Sequence, residues 1–367
     1  MHTFAVARAV HGIEPLVATE IRRSGAGVVR GMRHREVWFE ATGGTGLPAL
    51  RTADDVLLAA AVVDGIGRDR SALRRLARAA RGLDPALLGV PAGAAGVEVS
   101  ASFVGRRNYT RFEVEDAVGA ELARPLRVPY HSRGGGGRPP HGAMAWRVTI
   151  EEDRAVIAVR PARRPLHRRA YKTASVRGTL HPPLAAAMAE LARLDGARTV
   201  LDPCCGAGTT LIEARALAPR ARFLGFDHSP AALAAAAANA LTAAGACRPP
   251  GGSSFAWARA DGGRLPGESF AWARADGGRL PVRDGAADRV LVNPPWGRQV
   301  PPAGLLAGGL GPLWRQVRRV LAADGLAVAL VHDDLSRVPP GFAVEEAVRV
   351  SLSGRHPVIA VLAPRRR

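Results

Sequence analysis

With 367 residues the chain is long enough for two domains that each bury a core, and its formal charge of +19 favours a polyanionic partner, nucleic acid being the simplest. Three cysteines, two of them adjacent, exclude a disulfide framework and lack metal-site spacing, so no metal is expected. No apolar run reaches the length of a membrane span and the chain opens straight into a strand pattern, which predicts a cytoplasmic protein with no membrane partner, working as a monomer.

In chain order, Phe4 to Val10 reads as a strand, Glu14 to Ser24 as an amphipathic helix, and Gly27 to Val29 with Glu36 to Glu40 as a strand pair, together a small ferredoxin-like α+β piece. Asp69 to Arg81 is a strongly basic helix. Val97 to Phe103 is a strand, followed by a basic loop holding Arg106, Arg107, Tyr109 and Arg111, and by a helix over 112–122 whose early acids suit its N-terminus. The four glycines within 131–142 mark a flexible insert, and 145–150 with 155–159 alternate as a hairpin.

Arg160 to Arg177 carries seven Arg or Lys and no acid, and its prolines keep it from being one helix. Charge runs are usually just solvated. Interleaved His167 and Tyr171 make this run a candidate phosphate-contacting hinge, with Arg164, His167, Arg168, Arg169 and Lys172 as RNA-binding candidates beside Arg106, Arg107, Tyr109 and Arg111.

Beyond it, Arg198 to Leu201 is a short buried strand ending at Asp202. Gly206 and Gly208 then let the backbone approach a ligand before a helix over 209–218, the geometry with which open α/β sheets bind cofactors. Cys204 and Thr209 belong to that loop. A second strand over 221–226 ends in Asp227, with His228 beside it, where an acid accepts from ribose hydroxyls. A dinucleotide fingerprint needs a third glycine where Leu211 stands, which disfavours a nicotinamide or flavin.

Residues 254–266 recur identically at 269–281, each copy ending a strand in an acid, Asp261 or Asp276. Asp276 is expected to serve the cofactor's adenine, because a short loop joins it to the strand ending at Asn293. There Asn293-Pro294-Pro295-Trp296 offers an amide oxygen and a prolyl carbonyl as acceptors beside an aromatic face. That suits a planar exocyclic amine, whose lone pair two acceptors could aim at the methyl of S-adenosylmethionine, catalysis chiefly by orientation. Residues 305–322 are expected to be helical, 326–331 a buried strand, and 344–352 with 358–362 a closing hairpin. Trp314 is expected in the core, and His332 and His356 outside the chemistry.

Ser102 to Tyr109, Arg164 to Arg169, Thr179 to Leu184 and Asn293 to Trp296, in this order, resemble the THUMP-domain RNA methyltransferases of the tRNA guanine-N2 type. The resemblance implies an α/β chain in which a Rossmann-like class I methyltransferase domain follows an α+β ferredoxin-like/THUMP RNA-binding region. Its expected divisions are a ferredoxin-like unit at 1–50, a THUMP domain at 51–162, a basic linker at 163–180 and the methyltransferase domain at 181–367. It implies that Asp202, Gly206, Asp227 and a later acid hold the cofactor and that Asn293 to Trp296 hold a guanine of tRNA. Two alternatives stay open on the sequence: an adenine-N6 or guanine-N2 enzyme of rRNA or DNA, and an RNA-binding protein whose catalytic domain the duplication inactivates.

Overall fold

The computed structural model describes residues 3–42, 49–84, 95–245, 269–295, 297, 300–331, 339–352 and 354–365. They divide into two compact units, Met1–Ala9 with Val17–Leu166, and Val10–Leu16 with His167–Arg367.

In chain order up to residue 166 the elements are β1 (Thr3–Arg8), α1 (Glu14–Arg23), β2 (Gly27–Arg33), β3 (Glu36–Ala41), β4 (Asp55–Val63), α2 (Ser71–Arg81), β5 (Val97–Phe103), α3 (Arg111–Leu126), β6 (Met144–Glu151) and β7 (Arg154–Val159). The strands form one sheet in the order β2-β3-β1-β4-β7-β6-β5. Only the β5–β6 pair is parallel, and α3 crosses between those strands. Strand β4 was not anticipated, because Asp-Val-Leu-Leu-Ala-Ala-Ala-Val-Val has no alternation. Asp55 to Leu58 are all buried and β4 is paired on both sides, by β1 and β7, so its sequence carries no polar face to betray the period. Helix α3 starts in a capping box: Glu113 N donates to Thr110 Oγ1 at 3.2 Å and Thr110 N to Glu113 Oε2 at 2.8 Å.

The second unit contains α4 (Pro182–Leu191), β8 (Thr199–Asp202), α5 (Thr209–Leu217), β9 (Arg222–Asp227), α6 (Pro230–Gly245), β10 (Phe270–Arg274), β11 (Ala287–Val292), α7 (Gly311–Val320), β12 (Leu321–Val331), β13 (Phe342–Arg349) and β14 (Val358–Pro364). Its sheet runs β10-β9-β8-β11-β12-β14-β13, parallel from β10 to β12 and closed by antiparallel β14 and β13. The chain winds outward from β8 to β9 and β10, then returns to β11 on the other side. The crevice at that reversal, outside the carboxyl ends of β8 and β11, is where such sheets bind ligands.

Leu313, Trp314, Val317 and Val320 of α7 pack with Val290, Val292, Ala327 and Phe342, so Trp314 is core as expected. Each large side chain of that set contributes roughly 1.5–3 kcal/mol by burial. Helix α7 is shorter than the expected 305–322. Gly304 at φ +58° and Gly309 at φ +127° turn the chain out of the helical region, leaving one 3-10 turn at Gly304–Leu306 before Pro312 restarts it. Beyond Val320 the backbone turns extended as β12, with Leu321 opposite Ala287.

The second repeat copy supplies β10, an edge strand parallel to β9 from Phe270↔Phe223 to Arg274↔Asp227. The first copy, with Asp261, lies outside the described residues. Trp272 packs so closely on the neighbouring strand that a Cβ at Gly225 would stand 2.3 Å from its ring, so glycine is required there.

Candidate active site

A cavity of about 700 Å³ opens along the carboxyl ends of β8, β9 and β11 and is lined entirely by second-unit residues. Among them are Asp202, Cys204, Gly206, Thr209, Asp227, His228, Asp276, Asn293, Pro294 and Pro295, all candidates from the sequence. The volume lies within the range of small-molecule and cofactor sites.

Asp202 ends β8 and is 1 % exposed. Its carboxylate accepts from the Thr210 hydroxyl, and from Cys204 N at 2.9 Å, which shapes the loop that follows. Burial pushes its pKa up to about 7, with Asp227 adding to the rise and the Thr210 and Cys204 hydrogen bonds holding it back. Cys205 is buried, and desolvation with the nearby carboxylates pushes both cysteine thiols upward, so they stay protonated and inert, small residues of the loop.

Gly206 and Gly208 adopt φ +52° and +77°, and a Cβ at Gly208 would meet the Trp272 ring at 2.8 Å. Gly208 is thus a packing glycine and does not line the cavity, whereas Gly206 does. Asp227 ends β9, where Oδ2 accepts from Gly206 N at 3.0 Å and Oδ1 from Ser229 N at 2.9 Å. Each oxygen keeps a further lone pair for a ligand hydroxyl. His228 is mostly exposed, with Nδ1 3.5 Å from Asp227 Oδ1.

Asp276 stands just past β10. Oδ1 accepts from Gly278 N and Oδ2 from Leu305 N, both at 2.8 Å, so this carboxylate ties the β10–β11 loop to the segment before α7. Asn293 follows β11, and its Nδ2 lies 3.5 Å from the Gly178 carbonyl oxygen. Trp296 and His332 lie outside the described residues, and His356 is exposed and not among the residues that line the cavity, although Arg355 and Pro357 on either side of it are.

One wall was missed from sequence. Val176 to His181 line the cavity, although the run appeared to belong to a basic linker. The segment ahead of them is fastened to the catalytic unit at two places. Arg169 Nε and Tyr171 OH donate to Glu213 Oε1 of α5 at 2.9 and 2.7 Å, with Tyr171 and Glu213 buried. Asn239 of α6, fully buried, accepts at Oδ1 from Thr173 N and Ala174 N, and donates through Nδ2 to the carbonyls of Ala174 and Ala207. A polar side chain without exposure inside an alanine-rich helix is the sequence signal that could have found this clasp.

The RNA-binding candidates separate on burial. Arg106, Arg111, Arg164 and Arg168 are exposed, with Arg111 stacked over Phe112 at 4.6 Å. His167 is half-buried, its ring 5.5 Å from that of His181, and Lys172 is half-buried, its pKa lowered by desolvation. Three candidates have partners within the fold: Arg107 donates to the carbonyls of Ile66, Gly67 and Glu152, Tyr109 is 4 % exposed with its hydroxyl on Gly67 O, and Arg169 pairs with Glu213.

The lining suits S-adenosylmethionine on its own chemistry. Three carboxylates face a ligand that carries an ammonium and a sulfonium, glycine backbone admits close approach, and the buried Thr209 Oγ1 in the cavity wall has no hydrogen-bond partner among the described residues. Among the described residues no cluster of ligating side chains could hold a metal.

Residues 169–338 match the RMKL-like methyltransferase domain family. The chain is 31 % identical over 277 residues, 74 % of its length and 73 % of the relative's, to tRNA (guanine(6)-N2)-methyltransferase of Thermus thermophilus. It is 40 % identical over 99 residues, 27 % of its length and 19 % of the relative's, to the U6 snRNA (guanine-N(2))-methyltransferase THUMPD2 of Bos taurus. Among solved structures it matches TrmN from Thermus thermophilus with a TM-score of 0.73 at 29 % identity, over 99 % of this chain and 100 % of that one. The chain therefore belongs to the THUMP-domain RNA methyltransferase family and is an S-adenosylmethionine-dependent enzyme.

Proposed function

We propose that the enzyme methylates the 2-amino group of a guanine in tRNA, as a monomer in the cytoplasm. The observation that carries this reading is the placement of Asn293, Pro294 and Pro295 in the wall of the same cavity as Gly206, Asp227 and Asp276. Similarity along most of the chain to a protein named for guanine-N2 methylation of tRNA supports the choice of base and of RNA.

Asp227 is assigned to the ribose hydroxyls and Asp276 to the adenine amine. Both stand at strand ends on the β9–β10 side of the sheet, with oxygens already oriented by backbone amides. Thr209 Oγ1 and Gly206 are assigned to the amino-acid portion. When bound, S-adenosylmethionine would supply an electrophilic sulfonium methyl for transfer to nitrogen, with the thioether as leaving group.

Asn293 Oδ1 and the Pro294 carbonyl accept the two N–H groups of the base. That turns the nitrogen lone pair out of conjugation with the ring and toward the methyl group. Asn293 lines the cavity, with its Nδ2 on the side of Gly178 O. The amine nitrogen is itself the nucleophile and its proton is lost to solvent water after transfer, so the protein supplies no covalent nucleophile, consistent with both cysteine thiols being held protonated.

The direct test is to incubate the enzyme and cofactor with tRNA from a strain lacking this gene and to analyse the nucleosides by mass spectrometry. A gain of N2-methylguanosine is expected. A gain of N6-methyladenosine alone, or no methylated nucleoside, would overturn the reading.

A further inference from the structure

Charge is sorted along the cavity. Its carboxylates, Asp202, Asp227 and Asp276, follow β8, β9 and β10, on one side of the strand-order reversal. On the other side the lining is Leu330 of β12 and Leu352, Arg355 and Pro357 of the β13–β14 connection, with no acid among them. A second arginine, Arg177, exposed, belongs to the lining and comes from the segment that carries Gly178. Asn293 follows β11, between the two halves.

Neither arginine is occupied elsewhere. Among the described residues the Arg177 and Arg355 side chains make no hydrogen bond or ion pair, in contrast to Arg107, Arg169, Arg289 and Arg319, which are committed to carbonyls or carboxylates. The backbone beneath each is fixed. Leu352 and Arg355 exchange reciprocal backbone bonds of 2.8 and 3.0 Å, and Thr179 N closes a turn onto Val176 O at 3.2 Å. Arg355 is half-buried and its guanidinium has no acid partner among the described residues, which leaves it available to an anionic ligand.

We propose that Arg177 and Arg355 form a phosphodiester-binding site at the substrate end of the cavity, holding the backbone of the target nucleotide while its base reaches Asn293. The proposal rests on the nucleic-acid substrate inferred above and adds the groups that hold its backbone. A nucleotide whose base enters this cavity leaves its flanking phosphates outside it, and a guanidinium fork matches phosphate oxygens in two places at once. The carboxylates on the cofactor side would repel those phosphates, so the sorting of charge also sets which way round the nucleotide lies.

The test uses the full chain and the RNA that the wild-type enzyme methylates, with bulk tRNA from a strain lacking the gene as the first probe. R177Q and R355Q should each lower kcat/KM for RNA by about tenfold, the loss expected of one charge-assisted contact. Each should reduce the slope of log kcat/KM against log salt by about one. Cofactor Kd and thermal midpoint should stay at wild-type values. Once the modified guanosine is mapped, uncharged methylphosphonates at its flanking phosphates should slow the wild type and slow the double variant no further. Variants with wild-type kcat/KM and salt slope, or a loss confined to cofactor affinity, would overturn the phosphate site while leaving the methyltransferase reading intact. A wild-type enzyme inert toward all RNA would overturn both.

Discussion

The Asn239 side-chain amide donates to the carbonyl of Ala207 at 3.0 Å, fastening helix α6 to the glycine loop. The same amide holds Ala174 at both its N–H and its carbonyl, so one buried residue sets the spacing between the loop and the cavity wall that begins at Val176. Asn239→Ala leaves those backbone groups without partners and should cost about 1–3 kcal/mol of stability. It should also raise the cofactor Kd about tenfold. Calorimetric titration below the melting range separates the two effects: a merely structural residue would lower the stoichiometry at unchanged Kd, whereas a positioning residue raises Kd at full stoichiometry.

Asn293→Ala should abolish methyl transfer and leave cofactor affinity within about twofold, since its amide is assigned to the target amine. Asp227→Ala should act the other way and weaken cofactor binding first. The expected loss is about 1.5–3 kcal/mol, that of a charged hydrogen bond. Equilibrium dialysis with labelled cofactor, run beside a methylation assay, distinguishes the two, and wild-type turnover by the Asn293 variant would refute its role.

Asp202 imposes a pH dependence of known sign. Its pKa rises from 3.8 in the unfolded chain to about 7 in the fold. Between those values the unfolded state has lost a proton that the folded state keeps, so stability falls as pH rises from about 4 to about 7, by up to about 1.4 kcal/mol per unit. Below and above that window this residue contributes no slope. In Asp202→Asn this component should vanish, which denaturant melts at pH 5, 6, 7 and 8 would show as a flatter profile than the wild type's.

Deletion of residues 254–268 should leave a folded, active enzyme, because β10 and Asp276 both come from the second repeat copy. Asp276→Ala should impair cofactor binding and Asp261→Ala should not. Cofactor affinity of the three variants checks this, and a loss in Asp261→Ala alone would mean that the first copy occupies the edge of the sheet.

Neutralising Arg106 and Arg168, both exposed, should weaken RNA binding and flatten its salt dependence, with cofactor affinity untouched. Arg107→Gln and Arg169→Gln should instead lower the thermal midpoint, because they remove partners from the carbonyls of Ile66, Gly67 and Glu152 and from buried Glu213. Filter binding across a salt series, with melting curves on the same variants, tests both halves.

The strands that face a core on one side, and the loops that end them, were legible because their residues alternate or punctuate. β5 over 97–103 follows the period of two, the β6–β7 hairpin pairs where it was expected although β7 is buried from Ala155 to Val159, and Asp202, Asp227 and Asn293 sit at strand ends where the expected order of motifs put them. What stayed hidden has the opposite pattern. In β4 the buried half has no polar face, and in α4 nine of ten residues are buried, so neither helix nor strand period shows. The wall at 176–181 was obscured by charge: seven cations in the surrounding run suggested a phosphate-contacting hinge, whereas Arg169 is half-buried against an acid 44 residues away. Sequence spacing cannot distinguish a solvated guanidinium from one paired at long range.

That buried clasp bears on how the molecule can be dissected. The matched family region begins at residue 169, and the second compact unit takes in His167, both well ahead of helix α4. A fragment cut at residue 181, where the regular secondary structure of the catalytic part begins, would lose Arg169, Tyr171 and the Asn239-held turn together. Glu213 would be stranded in an apolar setting and one side of the cavity removed. The inherited unit of catalysis is thus longer than its visible helices and strands, and any transplant onto another RNA-binding module must carry this irregular leader with it.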